Sequence, residues 1–252
     1  MGRIVRAKDW SKTALGPFDT WPQSLRTAVG MVLNSRYPMF IAWGEELTFL
    51  YNDGYAPIFG AKHPAALGLP FAQIWAEIWP DVRPLVEQAL GGTATWSEDL
   101  LLFMERSGYP EETYYTFSYS PLPDDTAGIG GMLCVCTETT GRVIGNRQLA
   151  VLREISARTV EARTWQEAAL RSVEALNANP RDLPFALLYL ADPDAEQLTL
   201  AGAAGIEPGH EAAPTRIGFD GAPWSLGKAI HRREPMLVDD LPRLFGDSLP
   251  SG

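Results

Sequence analysis

Three histidines, two cysteines and a few adjacent carboxylates are the side chains here that could move protons, hold a metal or attack a substrate. His63 precedes Pro64, His210 sits among glycine and proline, and His231 stands beside Arg232-Arg233. Cys134 and Cys136 would share one face of a strand. That spacing is poor for a disulfide, and without a neighbouring His or Cys it makes no tetrahedral metal site. Two buried thiols acting as small hydrophobes is the plainer reading. Glu98 and Asp99 would point to opposite faces of a strand, so they form no acid–base pair. Asp124-Asp125 and Asp239-Asp240 read as solvated turn carboxylates. No phosphate-cradling glycine loop or nucleophile elbow occurs, and Gly91-Gly92 reads as a turn. No catalytic residue and no metal site is assigned.

The aromatic residues are the stronger signal. Phe103 on one strand, Tyr115, Phe117 and Tyr119 on the next, and Tyr55, Phe59, Trp75 and Trp79 on short helices could line an apolar pocket with hydroxyl tips. Tyr55, Tyr115 and Tyr119 would be its polar members. Rings at strand and helix spacing also build ordinary cores, so plain packing is the first reading and the pocket the second. Which strand face points inward stays open.

The elements that must position these residues follow from periodicity and turn chemistry. Asp19 or Thr20 can cap a helix with Pro22 in its first turn. That helix carries Leu25, Ala28, Val29, Val32 and Leu33 on one face and stops before Pro38. Strands at 39–43 and 47–52 flank a turn at 44–46. Short helical pieces broken by glycine and proline fill 53–91. Three longer strands, 95–106, 112–122 and 129–139, are joined by turns and predict an antiparallel meander. A helix broken once is expected over 141–178, with Leu149, Leu152 and Ile155 on one stripe and Ala162, Trp165, Ala169, Val173 and Leu176 on another. Strands at 185–192 and 197–205 flank Pro193-Asp194. A short helix at 224–232 and a strand end at 234–241 complete the chain.

The 252 residues suit two domains. With 21 basic and 31 acidic residues, the net charge of −10 argues against a nucleic-acid partner. Two cysteines fit a reducing compartment. The N-terminus lacks a signal-peptide core, and no apolar run reaches the roughly 20 residues that span a bilayer. A cytoplasmic protein without a membrane segment is expected.

Residues 38–140 resemble a PAS domain in the hairpin ending LYND (50–53), the short helices, and TFSYSPLPDD followed by GIGGMLCVCTETT. The wider wording, DWSKTALGPFDTWPQSLRTAV through CTETTGRVIGNRQLAVLREI, resembles the N-terminal PAS region of bacterial sensor histidine kinases, often hybrid kinases. In those proteins a GAF domain follows, and the chain from about 153 is similar to the front of one. The implied fold is α+β: an N-terminal helical extension (1–37), a PAS domain with a five-stranded antiparallel sheet and short helices (38–140), a connector helix (141–178) and a partial GAF-like α/β domain (179–252).

The resemblance implies an input module for two-component signalling. It would bind a small ligand or relay a conformational signal to a histidine kinase domain in cis or trans, and act as a homodimer through its N-terminal and connector helices. The alternative is a PAS interaction module without ligand. Thr137 and Glu138 would be the signal exit, at the position of an Asp-x-Thr motif, with Val135 in place of the Asp that usually makes an ion pair there. No phosphoacceptor histidine context or ATP domain is present, so the chain itself is not the kinase. The cofactor is open. A photoreactive flavin would need a cysteine on the central helix, and a bilin one in the GAF part; neither exists. Haem would need an axial histidine, and His63 reads as an exposed loop residue.

Overall fold

The chain divides into two compact units, residues 1–143 and 144–252. This computed structural model describes residues 1–250 apart from Pro193, Ala195, Asp220, Ala222, Pro223 and Ser225. The expected Pro193-Asp194 turn and the Ser225 position of the expected 224–232 helix therefore involve residues outside the description.

In the first unit, α1 (Gly2–Ala7) and α2 (Gln23–Asn34) precede β1 (Met39–Trp43) and β2 (Thr48–Tyr51). Leu25, Ala28, Val29 and Val32 are buried on α2, as their spacing predicts. The cap differs from expectation. Neither Asp19 nor Thr20 caps α2; Asp125, from a distant turn, accepts hydrogen bonds from the Gln23 and Ser24 N–H groups at 2.8 and 2.9 Å. A carboxylate there satisfies orphan donors and suits the positive end of the helix dipole. Asp124 accepts from the Thr126 and Gly128 backbone. These two carboxylates are structural ties and not merely solvated turn residues.

Glycine and proline cut the next segment into α3 (Ala56–Phe59), α4 (Phe71–Ile74) and α5 (Trp79–Leu90). Then β3 (Thr95–Met104), β4 (Glu111–Pro123) and β5 (Ile129–Glu138) form the expected meander. The antiparallel sheet runs β2-β1-β5-β4-β3, so β5 returns to the middle beside β1. Gly131 lies where β5 crosses β1. A Cβ there would collide with the Ala42 carbonyl and the Trp43 Cα. We expect Gly131→Ala to lower stability by about 1–3 kcal/mol through overpacking, read as a lower urea midpoint at unchanged slope.

The expected broken helix is α6 (Thr140–Thr159) and α7 (Trp165–Leu176). The Thr164 side chain caps α7 by accepting from the Glu167 N–H. In the second unit, β6 (Ala186–Asp192), β7 (Gln197–Ala204) and β8 (Arg216–Gly218) form an antiparallel sheet in that order. Ala169 and Val173 of α7 are buried, and a Cβ on Gly202 of β7 would meet Val173. Two expectations fail here. Trp165 is 80 % exposed, because at the first position of α7 it projects off the packed stripe. Residues 234–240 form no strand; they lead irregularly from α8 (Leu226–Arg232) to α9 (Leu241–Phe245).

Candidate functional site

Register settles which strand face looks inward. Cys134 pairs with both Phe40 and Tyr119, and Cys136 pairs with Phe117, so these side chains share one face. The short helices α3–α5 cover that face, and the rings interlock. Phe40 stacks on Phe49 at 4.3 Å, and Phe59 stacks on Trp75 at 5.1 Å with ring planes 6° apart. Between sheet and helices remains a cavity of about 30 Å³. That is room for about one water, far below the several hundred Å³ of typical ligand pockets.

Of the expected pocket residues, Tyr55, Trp75, Tyr115, Phe117 and Tyr119 line this cavity. Phe59 and Trp79 stand one layer behind: Phe59 backs Trp75, and Trp79 packs edge-on against Phe71. Phe103 does not belong. It is 52 % exposed on the other face of the sheet. The cause is a β-bulge: Ser97 pairs with Phe117 but Leu100 with Tyr115, so β3 carries one extra residue. An extra residue inverts the alternation beyond it, which turns Leu102 and Met104 inward and Phe103 outward.

Sequence reasoning did not place the other lining residues at the cavity: Phe40, Ile58, Phe71 and Ile78, and on the sheet side Leu102, Met104, Cys134 and Cys136. The cysteines are buried free thiols. Burial, then its neighbour Cys136, pushes the Cys134 thiol well up, so it stays protonated. Burial likewise holds the Tyr119 hydroxyl far above its ordinary range. For Tyr55, burial is again the main cause, with the two cysteines adding to it. Trp75 is fully buried and its indole Nε1 has no hydrogen-bond partner among the described residues. Its ring is clamped from outside by the Lys62 ammonium, 4.3 Å from the ring centroid. Lys62 also donates to the Ile74 carbonyl and pairs with Glu77.

His63 is half-buried and not the exposed loop residue expected, because its Nδ1 meets the Tyr51 hydroxyl at 2.8 Å. Burial pushes that hydroxyl up to about 12, so it stays protonated, and the tautomer of His63 sets which of the two groups donates.

Tyr115 joins the cavity to the strand exit. Its ring lines the cavity, and its hydroxyl donates to Glu138 Oε2 at 3.2 Å. Arg106 grips Glu138 through two N–H donors at 2.9 and 3.0 Å, and also donates to Glu111 and to the Tyr115 oxygen. Burial alone would raise the Glu138 carboxyl, but Arg106 outweighs it and holds the group below its ordinary range. The Arg106 carbonyl accepts from the Ala61 N–H at the end of the helical cover. Gly60 makes this approach possible, since a Cβ there would strike that carbonyl.

Of the two residues expected at the exit, Glu138 is held by Arg106 and Thr137 is not. Val135 faces outward and Thr137 is exposed, without a side-chain bond among the described residues. The paired acid is Glu138, and the partner threonine is Thr140, which donates to Glu138 and accepts from the Tyr114 N–H. The ion pair here is made by Glu138 and not at the Val135 position. A second clasp comes from the bulge. Asp99 has φ of 49° and accepts from Thr139 at 2.7 Å and from Arg142 on the first turn of α6. The Thr139 bond and then Arg142 lower its carboxyl below the usual range.

A family model described as "PAS fold" matches residues 33–144. No curated protein matches the chain in sequence. Among solved structures, the chain is similar to a PAS domain from Colwellia psychrerythraea, at 13 % identity over 47 % of this chain and 98 % of that one, with a TM-score of 0.37. It is also similar to the PAS domain of Bordetella pertussis BvgS, at 16 % identity over 52 % of this chain and 99 % of that one, TM-score 0.34. A third is a Rhodobacter sphaeroides LOV protein, at 14 % identity over 61 % and 90 %, TM-score 0.37. The family match, together with the five-stranded antiparallel sheet and its helical cover, gives the first unit the fold of a PAS domain. Among the described residues, no helix is long and apolar enough to cross a membrane.

Proposed function

We propose that this chain is a sensory input module for two-component signalling. The PAS unit takes a small molecule into its aromatic cavity, and the change passes from Tyr115 through Glu138 into α6. The second unit, which resembles the front of a GAF domain, carries the signal onward to a histidine kinase domain in cis or in trans. The chain itself performs no catalysis, works in the cytoplasm, and pairs with a second copy through its N-terminal and connector helices. The observation that carries this reading is Tyr115, whose ring touches the cavity while its hydroxyl holds the exit carboxylate. Support for the helical pairing is that α6 has no buried residue among those described, with Leu149 and Leu152 both exposed.

A second reading, an interaction module without ligand, draws support from the small volume of the cavity and from Trp96 and Phe103, exposed on β3. Native mass spectrometry, compared with the mass after denaturation, separates the two. A small molecule lost on denaturation favours the sensory reading, and an empty dimer favours the interaction module.

The relay has its own test. Tyr115→Phe keeps the ring and removes the hydroxyl. Amide exchange over residues 138–146 is expected to speed up about threefold to tenfold, as about 0.6–1.4 kcal/mol of local protection is lost. Unchanged exchange there would remove Tyr115 from the path.

A further inference from the structure

The start of α6 is held from both faces of the sheet, and only one of the two holds reaches the cavity. We propose, resting on the reading that α6 carries the signal out, that the Asp99 bulge is a strap. It anchors the first turn of α6 from the outer face. When the cavity side slackens, the helix pivots about this anchor and stays attached.

Alternation at the end of β5 separates the two holds. Glu138 pairs with Tyr115, whose ring lines the cavity, so Glu138 lies on the cavity face. Thr137 pairs with Thr116 and is exposed on the outer face. Thr139 continues that outer row, and Asp99 accepts its hydroxyl at 2.7 Å. The Asp99 N–H donates to the Thr116 hydroxyl at 3.1 Å, which ties the bulge to the same face. The holds share no side chain. Arg106 and Tyr115 grip Glu138, while Asp99 grips Thr139 and Arg142.

The extra residue of β3 is what puts a carboxylate there. Ser97 pairs with Phe117 and Leu100 with Tyr115, so Glu98 and Asp99 together stand opposite Thr116. In an unbroken strand, position 99 would oppose Tyr115 and face the cavity side, where a carboxylate loses its hydration among rings. The bulge needs a left-handed φ of 49° at this residue, which aspartate tolerates better than most side chains. Arg142 gives the carboxylate a second task. A cation in the first turn opposes the helix dipole, and that turn of α6 has no acidic residue of its own. Asp99 brings the missing negative charge from β3.

The two holds also differ in shielding: Arg142 is 54 % exposed and Arg106 is 17 % exposed. Salt screens exposed pairs more than shielded ones, so ionic strength loosens the strap before it loosens the cavity side.

The test is amide exchange over residues 143–146 in the whole chain, comparing the parent, Tyr115→Phe, Asp99→Gly and the double variant. Glycine adopts the same φ without strain, and a retained thermal transition shows that the variants are folded. Asp99→Gly should speed exchange about threefold to tenfold. The double variant should reach about tenfold to a hundredfold, because sites without a shared partner add in free energy. Raising sodium chloride from about 0.05 M to about 0.5 M should speed these amides in the parent and leave Asp99→Gly unmoved. Asp99→Asn keeps an acceptor for Thr139 and loses the charge, so it should fall between the parent and Asp99→Gly and lose the salt response. A double variant no faster than Tyr115→Phe, or a parent without a salt response, overturns the strap while the sensory reading stands. If Asp99→Gly behaves as expected and Tyr115→Phe is silent, the anchor stands and the relay from the cavity falls.

Discussion

Asn52→Ala should cost the PAS unit roughly 3–5 kcal/mol, enough to lower its urea midpoint sharply at unchanged slope. Asn52 is completely buried. Its amide nitrogen donates to the carbonyls of Val32, Ser35 and Tyr37, at 3.1, 3.1 and 2.7 Å. Its carbonyl oxygen accepts from the N–H groups of Met39 and Tyr55, at 3.1 and 3.0 Å. One side chain thus closes the end of α2, starts β1 and sets the turn into α3. Truncation strands several buried backbone groups at once, and each unmet group costs about 1–3 kcal/mol. Asn52→Asp is the sharper control. It preserves the shape and both acceptor contacts but removes every donor, and it faces three carbonyls with a carboxylate. It should be at least as damaging as alanine at neutral pH. A fall under 1 kcal/mol for both variants would show that water replaces these bonds and that the joint is not a single-residue device.

Asn52 also marks where the sequence became hard to read. Its neighbours in LYND were legible as a hairpin ending, because Phe49, Leu50 and Tyr51 follow a turn and precede glycine. Nothing local distinguishes a joint-forming asparagine from a turn asparagine; its five partners lie 3 to 20 residues away in sequence. The same limit explains Asp125, whose partners are about 100 residues upstream. Secondary structure was legible where periodicity is strong: α2, the β1–β2 hairpin and the β3–β5 meander fall close to their expected limits. Strand order was not, since local pattern cannot tell that β5 pairs with β1.

The candidate site was half legible for a physical reason. Aromatic types marked the core correctly, but assigning faces needs an unbroken alternation, and β3 breaks it. Glu98-Asp99 within an otherwise apolar strand run was the available sign, a polar pair where a bulge would sit. The bulge sends Phe103 out of the site and brings Asp99 to the helix that leaves the domain. Cys134 and Cys136 were read as small hydrophobes on a buried face, which their burial matches, yet their place on the cavity wall depends on register alone.

Acid stability provides the second large effect, through Arg106. The Glu138 carboxyl is held below its unfolded value of 4.5 because Arg106 outweighs the effect of burial. A depressed carboxyl contributes stability that is fully present above about pH 4.5 and disappears as pH falls through the folded value. Glu77 is also held low against burial, by Lys62 together with the Glu77 and Glu105 backbone N–H groups, and acts in the same direction. In Arg106→Gln the counter-charge is gone and only the Thr140 and Tyr115 hydroxyls still oppose burial, so the Glu138 carboxyl moves up from where it stands in the parent. Acid unfolding should then begin at a higher pH than in the parent chain. At pH 7 the variant should lose roughly 2 kcal/mol, less than the ~3–5 kcal/mol of a fully buried broken pair, because the Arg106 and Glu138 side chains retain 17 % and 32 % exposure. Adding Glu138→Gln removes the stranded charge and should recover part of that loss, along with the parent's resistance near pH 5. A double-mutant cycle over pH 3–7 reads both effects. If the two single losses simply add at pH 7, Arg106 and Glu138 are not coupled, and the connection from the cavity to α6 loses its ionic link.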